Sequence, residues 1–273
     1  MRRSIVLAGF LSIGLVQFAQ ADYKSGLAAY EKGDFKTALA EVKPSAEQGN
    51  PLAQFGMGLM YRNGQGVTPD YLQAYKWFSL AAAQGNAAAQ FNIGMMYHNG
   101  QGVPKDFAQA AKHYRLAADM GNFRAQFNLG TMYELGQGVP QNYQEAARLI
   151  RQAAEQKMAV AQFSLGGLYF AGHGVPQDYT EAVKWYRLAS DQKTPIALIA
   201  LSGMYANGQG VAKSPVVAFA LANVVASKNK TYAGLRDTLA AKLNAAQLNE
   251  GQKLSRDIAQ GTTRVLDHTL AAK

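Results

Sequence analysis

The sequence predicts an all-α protein, an array of stacked antiparallel helix pairs. Three observations predict it. A glycine pair recurs at Gly64/Gly66, Gly100/Gly102, Gly136/Gly138, Gly172/Gly174 and Gly208/Gly210, always 36 residues apart, and a fixed period of this size is the signature of a repeat array. Between the pairs, apolar residues recur at spacings of three and four, the helical period. Helix-starting Asp and Asn residues and helix-stopping glycines alternate in step with the same period.

The chain opens with Arg2 and Arg3, an apolar run over Ile5–Val16 and an Ala19-Gln20-Ala21 triplet. This reads as a secretory signal peptide, Met1–Ala21, cleaved after Ala21. The run is short for a membrane span, and the absence of any cysteine excludes a lipoprotein anchor. Periplasmic or secreted localisation is therefore expected. Without Arg2 and Arg3 the formal charge of +9 becomes +7. The lack of cysteine also excludes disulfides, thiol nucleophiles and thiolate metal sites. Packing must hold the fold, and 48% hydrophobic residues supply the material for it.

Residues 22–50 read as a shortened first repeat. They lack the glycine loop, yet Asp34-Phe35 falls 36 residues before Asp70-Tyr71, and Gly49-Asn50 falls 36 before Gly85-Asn86. Five repeats follow at residues 51–86, 87–122, 123–158, 159–194 and 195–228. In each, a first helix such as Leu52–Asn63 ends at a glycine suited to the left-handed conformation, and the second glycine frees the chain to reverse. The glycines follow a helix, not a strand, and no Lys-Ser/Thr accompanies them, so they read as turns and not as a phosphate cradle. Second helices begin near Asp70, Asp106, Asn142 and Asp178. With Gln73, Gln109, Glu145 and Glu181 these resemble capping boxes, each cap worth about 1 kcal/mol. Asn86 and Asn122 are placed to cap the next first helix.

Several columns never vary. Tyr61, Tyr97, Tyr133, Tyr169 and Tyr205 form one; Ala74, Ala110, Ala146, Ala182 and Ala218 form another. Gly58, Gly94, Gly130 and Gly166 are expected to let helix backbones approach closely. Phe55, Tyr61, Trp77 and Trp185 fill the gaps, each buried ring contributing on the order of 2–3 kcal/mol. After Ala226 the pattern lapses. Residues 229–273 read as a capping helix, Tyr232–Gln260, with a loosely held tail from Gly261.

The features A-Q-F-x-x-G-x-x-Y and G-x-G-V-x-x-D-Y-x-x-A-x-x-W-x-x-x-A-A-x-x-G-N, nearly complete over Leu52–Asn86, resemble the Sel-like repeat family (SLR, Sel1-like), relatives of the tetratricopeptide repeats. The fifth copy departs from the pattern at Ser202 and at Ser214-Pro215. The resemblance implies a right-handed α-solenoid, an SLR/TPR-like superhelix, whose first helices line a concave side. It also implies an adaptor or scaffold role, with exported bacterial members associated with envelope assembly, exopolysaccharide regulation and host interaction. Cysteine-rich members are linked to β-lactam binding; this chain has none of their cysteines.

Variation among the copies separates scaffold from surface. On the first helices the varying positions share one face. From them, Arg62, Asn92, Met95, His98, Arg124, Asn128, Thr131, Glu134 and Phe170 are expected to contact a protein or peptide segment in the concave groove. Asn amides suit an extended backbone and Met an apolar anchor. On the second helices, Lys76, Lys112, Arg148 and Lys184, with Arg115, Arg151 and Arg187 three residues on, suggest a basic ridge for an anionic polysaccharide, a lipid surface or an acidic protein. The competing reading is a solvated face whose long stems cover apolar rings. Nucleic acid is not an expected partner after export.

No catalytic constellation emerges. His98, His113, His173 and His268 include no pair at metal-ligand helix spacing, and there is no HExxH or G-x-S-x-G motif. No cofactor is implied. The expectation is a non-catalytic exported protein–protein interaction scaffold. The alternative is a weak β-lactam-binding hydrolase or a binder of cell wall or anionic polymer.

Overall fold

The computed structural model describes residues 23–261. The signal peptide with its cleavage point, and the tail beyond Gly261, lie outside the described residues. Among those described there are helices and no strands. Helix α1 (residues 23–31) pairs with α2 (Phe35–Glu47). The first helices of the five repeats are α3 (Pro51–Asn63), α5 (Ala87–Asn99), α7 (Phe123–Leu135), α9 (Ala159–Ala171) and α11 (Pro195–Asn207). Their second helices are α4 (Tyr71–Ala83), α6 (Phe107–Asp119), α8 (Tyr143–Glu155), α10 (Tyr179–Asp191) and α12 (Pro215–Ala226). The chain forms two compact units: the first runs to Met132 and adds Gly136–Pro140, the second takes Tyr133–Leu135 and the chain from Gln141 on.

The two glycines of each loop do different work. The first ends its helix in the left-handed region, at φ 70° in Gly64, 72° in Gly100 and 73° in Gly172. The second reaches across to the preceding repeat. A Cβ on Gly102 would lie 2.6 Å from the Tyr71 carbonyl carbon, and one on Gly174 would lie 1.9 Å from the Tyr143 carbonyl oxygen. The second glycine, expected to free the chain to reverse, thus has a further role. It also removes a side chain where one repeat's loop meets the backbone of the helix before it.

The capping boxes form only by half. Asp70 accepts from the Gln73 amide and Asp178 from Thr180 and Glu181. The reciprocal donor is already spent, because the Asp70 N–H bonds Tyr61 O at 2.9 Å and the Asp178 N–H bonds Tyr169 O at 3.0 Å. Glu145 and Glu181 instead pair with Arg148 and Lys184 one turn on. On the first helices Asn86 and Asn122 cap as the sequence predicts and Asn50 does the same for α3, whereas Met158 and Thr194 offer no side-chain cap to α9 and α11.

Three of the column glycines, Gly58, Gly94 and Gly166, face rings first, and at Gly166 the Ala182 carbonyl of the partner helix also lies close, 3.2 Å from where a Cβ would stand. A Cβ on Gly58 would meet Phe78 at 2.5 Å; on Gly94, Tyr114 at 2.6 Å; and on Gly166, Tyr186 at 2.6 Å. At these three positions the second helix brings an aromatic ring against the first, and only glycine leaves room. Beside this contact runs a buried glutamine clamp. Gln54 Nε2 donates to Ala46 O, and its Oε1 accepts from Gln84 Nε2 at 2.8 Å. Gln162 repeats this with Ala154 O and Gln192. A carbonyl near one second-helix end, a first-helix side chain and the next helix end are thereby tied across neighbouring repeats. Each such buried bond costs about 1–3 kcal/mol to orphan.

The far end of the second unit differs from the single capping helix expected. A 3₁₀ turn (Lys230–Tyr232) leads into α13 (Ala233–Ala240), and α14 (Ala245–Gln260) starts afresh. Asn244 and Gln247 make a complete capping box there, so the break was written in the sequence. Helix α12 is apolar on all sides and buried accordingly. α14 packs on it by the same device as the repeats, with Gly251 under the ring of Phe219. No helix among the described residues is long and apolar enough to cross a membrane.

Candidate functional site

Two of the varying positions, Arg62 and Asn92, meet between α3 and α5 in the first unit. Arg62, in the last turn of α3, donates through Nη1 to the Asn92 Oδ1 of α5 and through Nε to Asn63 Oδ1. Asn92 in turn donates from Nδ2 to Ala88 O at 2.7 Å, and only 5% of it is exposed. Its amide, expected to meet a peptide backbone, is therefore occupied in holding Arg62. Asn128 is likewise engaged. Burial pushes the Tyr114 phenol up to about 12 while a hydrogen bond with Asn128 pulls the other way. Polar groups half-sunk between helices take the nearest partner, which copy-to-copy variation alone does not disclose.

The remaining expected contacts are presented to different degrees. Met95 is half-buried and Arg124 is exposed, the latter over the ring of Phe123. Thr131 donates to Phe127 O of its own helix at 3.0 Å. The His98 ring stands edge-on to Phe107 at 5.1 Å and near Tyr114. Burial first, and Lys105 second, hold its pKa below the ordinary histidine value. Glu134 is half-buried, its carbonyl braced by Gln141 Nε2.

In the second unit Phe170 is exposed and packs against Tyr179. It lines a slot of about 240 Å³ together with Ile199, Ala200, Gly203 and Met204. Ala200 and Gly203 stand in the varying columns that carry Asn92 and Met95 in the second repeat, so small residues open the slot. A larger groove, about 730 Å³, lies at the far end of this unit over Leu198, Val224, Val225 and Ile258, with Lys193 and Lys228 among its lining residues. Sequence reasoning missed it, because one wall, residues 258–261, comes from the segment where the repeat pattern lapses and packs back on the last repeats.

The basic ridge separates into two sets. Lys76, Lys112, Arg115, Arg148 and Lys184 are exposed, with Arg148 and Lys184 in ion pairs with Glu145 and Glu181. Arg151 and Arg187 turn inward. Arg151 donates to the Tyr169 hydroxyl at 2.8 Å and Arg187, buried, to the Tyr205 hydroxyl at 2.6 Å. Those two arginines anchor the invariant tyrosines of the next repeat and do not stand on a solvent-facing ridge. A guanidinium on a long stem reaches the phenol that helix stacking brings within range.

Among the described residues no group of three or more His, Asp or Glu side chains is placed to hold a metal ion. The arrangement offers shape, charge and hydrogen bonding along helix faces.

Comparison with known proteins agrees with this architecture. The chain is 28% identical to a Sel1 repeat protein from Oxalobacter formigenes of known crystal structure, over 88% of this chain and 100% of that one, with a TM-score of 0.74. It shares its fold with c5321, a protective antigen of uropathogenic Escherichia coli, at 24% identity over 89% of this chain and 76% of that one, TM-score 0.50. No curated protein matches the chain. The Sel1 repeat model matches residues 51–86, 87–122, 123–158, 159–193 and 195–223, and with these five consecutive matches the chain belongs to the Sel1 repeat family.

Proposed function

We propose that this chain is an exported, non-catalytic scaffold of the bacterial cell envelope, which takes up a segment of a partner protein on the face formed by its first helices. A repeat scaffold of this family is typical of protein–protein interaction. The observation that carries the reading is the contrast between columns. Positions such as Ala74, Ala110 and Ala182 are invariant and fully buried, while Met95, Arg124 and Phe170 stand in columns that change from copy to copy and are at least partly open. Packing fixes the first set. The second is free to be shaped by a partner, and its mixture of cationic, amide and apolar groups suits a peptide better than one uniform ligand.

The basic start, the apolar run and the Ala19-Gln20-Ala21 triplet support export. Photo-crosslinking amino acids placed at Met95 and Phe170, activated in intact cells and followed by fractionation and mass spectrometry, test both parts. The expected result is a discrete protein adduct in the periplasmic or secreted fraction, on a chain whose mature N-terminus is Asp22. Adducts only from control positions on the second helices would remove the first-helix face. A cytoplasmic chain retaining Arg2 and Arg3 would remove export.

A further inference from the structure

Beyond α1, which ends at Glu31, the first-helix stretches of the first unit carry positive charge and no acid. Helices α3 and α5, and α7 up to Met132, contain no Asp or Glu, while Arg62 and Arg124 stand on them. Arg62 differs from the surface cations in being half-buried and held. Asn92 fixes one N–H and Asn63 another, and Asn92 is itself locked to Ala88 O. The phenols of Tyr30 and Tyr71 are its other close electrostatic neighbours, and burial lowers its pKa from the ordinary arginine value. A guanidinium has five N–H donors in a planar fork and stays charged at any physiological pH. Among the described residues none of Arg62's donors meets a carboxylate.

Holding a half-buried cation in place without neutralising it costs solvation energy. Arg151 and Arg187 recover part of that cost on tyrosine hydroxyls, and Arg62 recovers part on the Asn92 and Asn63 amide oxygens, all of them neutral acceptors. A fork already oriented by amides is suited to bidentate bonding with a carboxylate, with little ordering left to do.

We propose that Arg62, positioned by Asn92, anchors an acidic side chain of a partner segment laid along the first-helix face of the first unit. The inference rests on the scaffold reading above and adds the partner's chemistry: an extended peptide with an Asp or Glu seated on Arg62. The absence of acids on these helices favours such a segment over its whole length, with Arg124 as a second, weaker attraction.

The test uses the full chain and a phage-displayed library of random dodecapeptides, panned in parallel on the parent protein and on Arg62→Gln. The most enriched sequence is then synthesised with a fluorescent label, once as selected and once with each Asp and Glu replaced by Asn and Gln. The expected result is enrichment of acidic peptides on the parent alone. The amide version should bind at least about tenfold more weakly, the scale of a lost charge-assisted bond. Arg62→Gln should lose affinity by a similar factor, and Arg62→Lys should recover part of it. The peptide pair measured on the parent gives the answer even if a variant folds poorly. Binders without acidic enrichment, or acidic binders indifferent to Arg62, would overturn this inference and leave the scaffold reading standing. A library yielding no binder would overturn both.

Discussion

Gly94 lies beneath the ring of Tyr114: a Cβ on it would stand 2.6 Å from Cδ1, closer than real Cβ contacts come. Tyr114 is 1% exposed and has nowhere to withdraw. The fifth repeat shows how the pair can change together. There Ser202 occupies the glycine column, and the residue in the ring's column is Ala222; the Ser202 hydroxyl donates to Ala218 O at 2.7 Å. Gly94→Ala should therefore destabilise the first unit by about 1–3 kcal/mol through overpacking. Gly94→Ser combined with Tyr114→Ala should cost at least about 1 kcal/mol less than the two single changes added together. Urea unfolding followed by circular dichroism measures both. Strict additivity would mean that glycine and ring are not coupled.

The clamp between repeats gives a second expectation. Gln162 Oε1 accepts from Gln192 Nε2 at 2.7 Å and its Nε2 donates to Ala154 O at 3.2 Å, with the side chain 4% exposed. Gln162→Leu keeps most of the volume and orphans both partners, so it should cost about 1–3 kcal/mol. Gln162→Glu should be at least as damaging, because a carboxylate facing the Ala154 carbonyl cannot donate. The thermal midpoint reads the loss, and amide exchange in α9 and α10 should show where it falls.

Much of this was legible in the sequence because the period was. Five equal spacings set the helices, the glycine turns and the Asn and Asp caps without any knowledge of the packing. The partners of the invariant side chains were not legible. A column kept through four copies announces that Gln54 or Gly58 matters, but not that one clamps two helix ends and the other accepts a ring. Variation misled at Asn92, because a residue can differ between copies and still be buried where its local partner, Arg62, also differs. Arg187 reads as a surface cation until the stacking brings Tyr205 within reach.

The second unit has two joints where the helix-ending column lacks glycine. Lys157 and Lys193 hold positive φ of 64° and 61° where the earlier repeats have Gly49, Gly85 and Gly121. The following Met158 and Thr194 give no side-chain cap. A left-handed non-glycine residue costs about 1–2 kcal/mol, and a missing N-cap about 1 kcal/mol. Lys157→Gly with Met158→Asn should therefore raise the stability of the second unit by about 1–2 kcal/mol, partly offset by the greater freedom of glycine in the unfolded chain. The reverse change, Gly85→Lys with Asn86→Met, should lower the first unit by a similar amount. Differential scanning calorimetry on the two double variants checks the pair, and equal midpoints would show that these joints do not limit stability.

The last expectation concerns pH. Burial, with help from Lys105, lowers the His98 pKa, and burial, with help from Lys112, lowers that of His113. His113 also stacks on Tyr97 at 5.6 Å and bonds Gln90 through Nδ1 at 2.7 Å. The unfolded chain takes up protons on both rings near the ordinary value of about 6.5, whereas the folded chain resists until the pH is lower. Stability is thus fully present above about pH 6.5 and is lost as the pH falls through the interval down to the lowered folded values, where the loss levels off. The columns themselves suggest neutral replacements: Phe170 stands where His98 does, and Leu149 where His113 does. Between about pH 7.5 and about pH 5, above the main carboxylate range, the parent's melting temperature should fall more than that of the His98→Phe, His113→Leu double variant. Equal slopes would mean that the two rings are solvated well enough to titrate alike in the folded and unfolded chain.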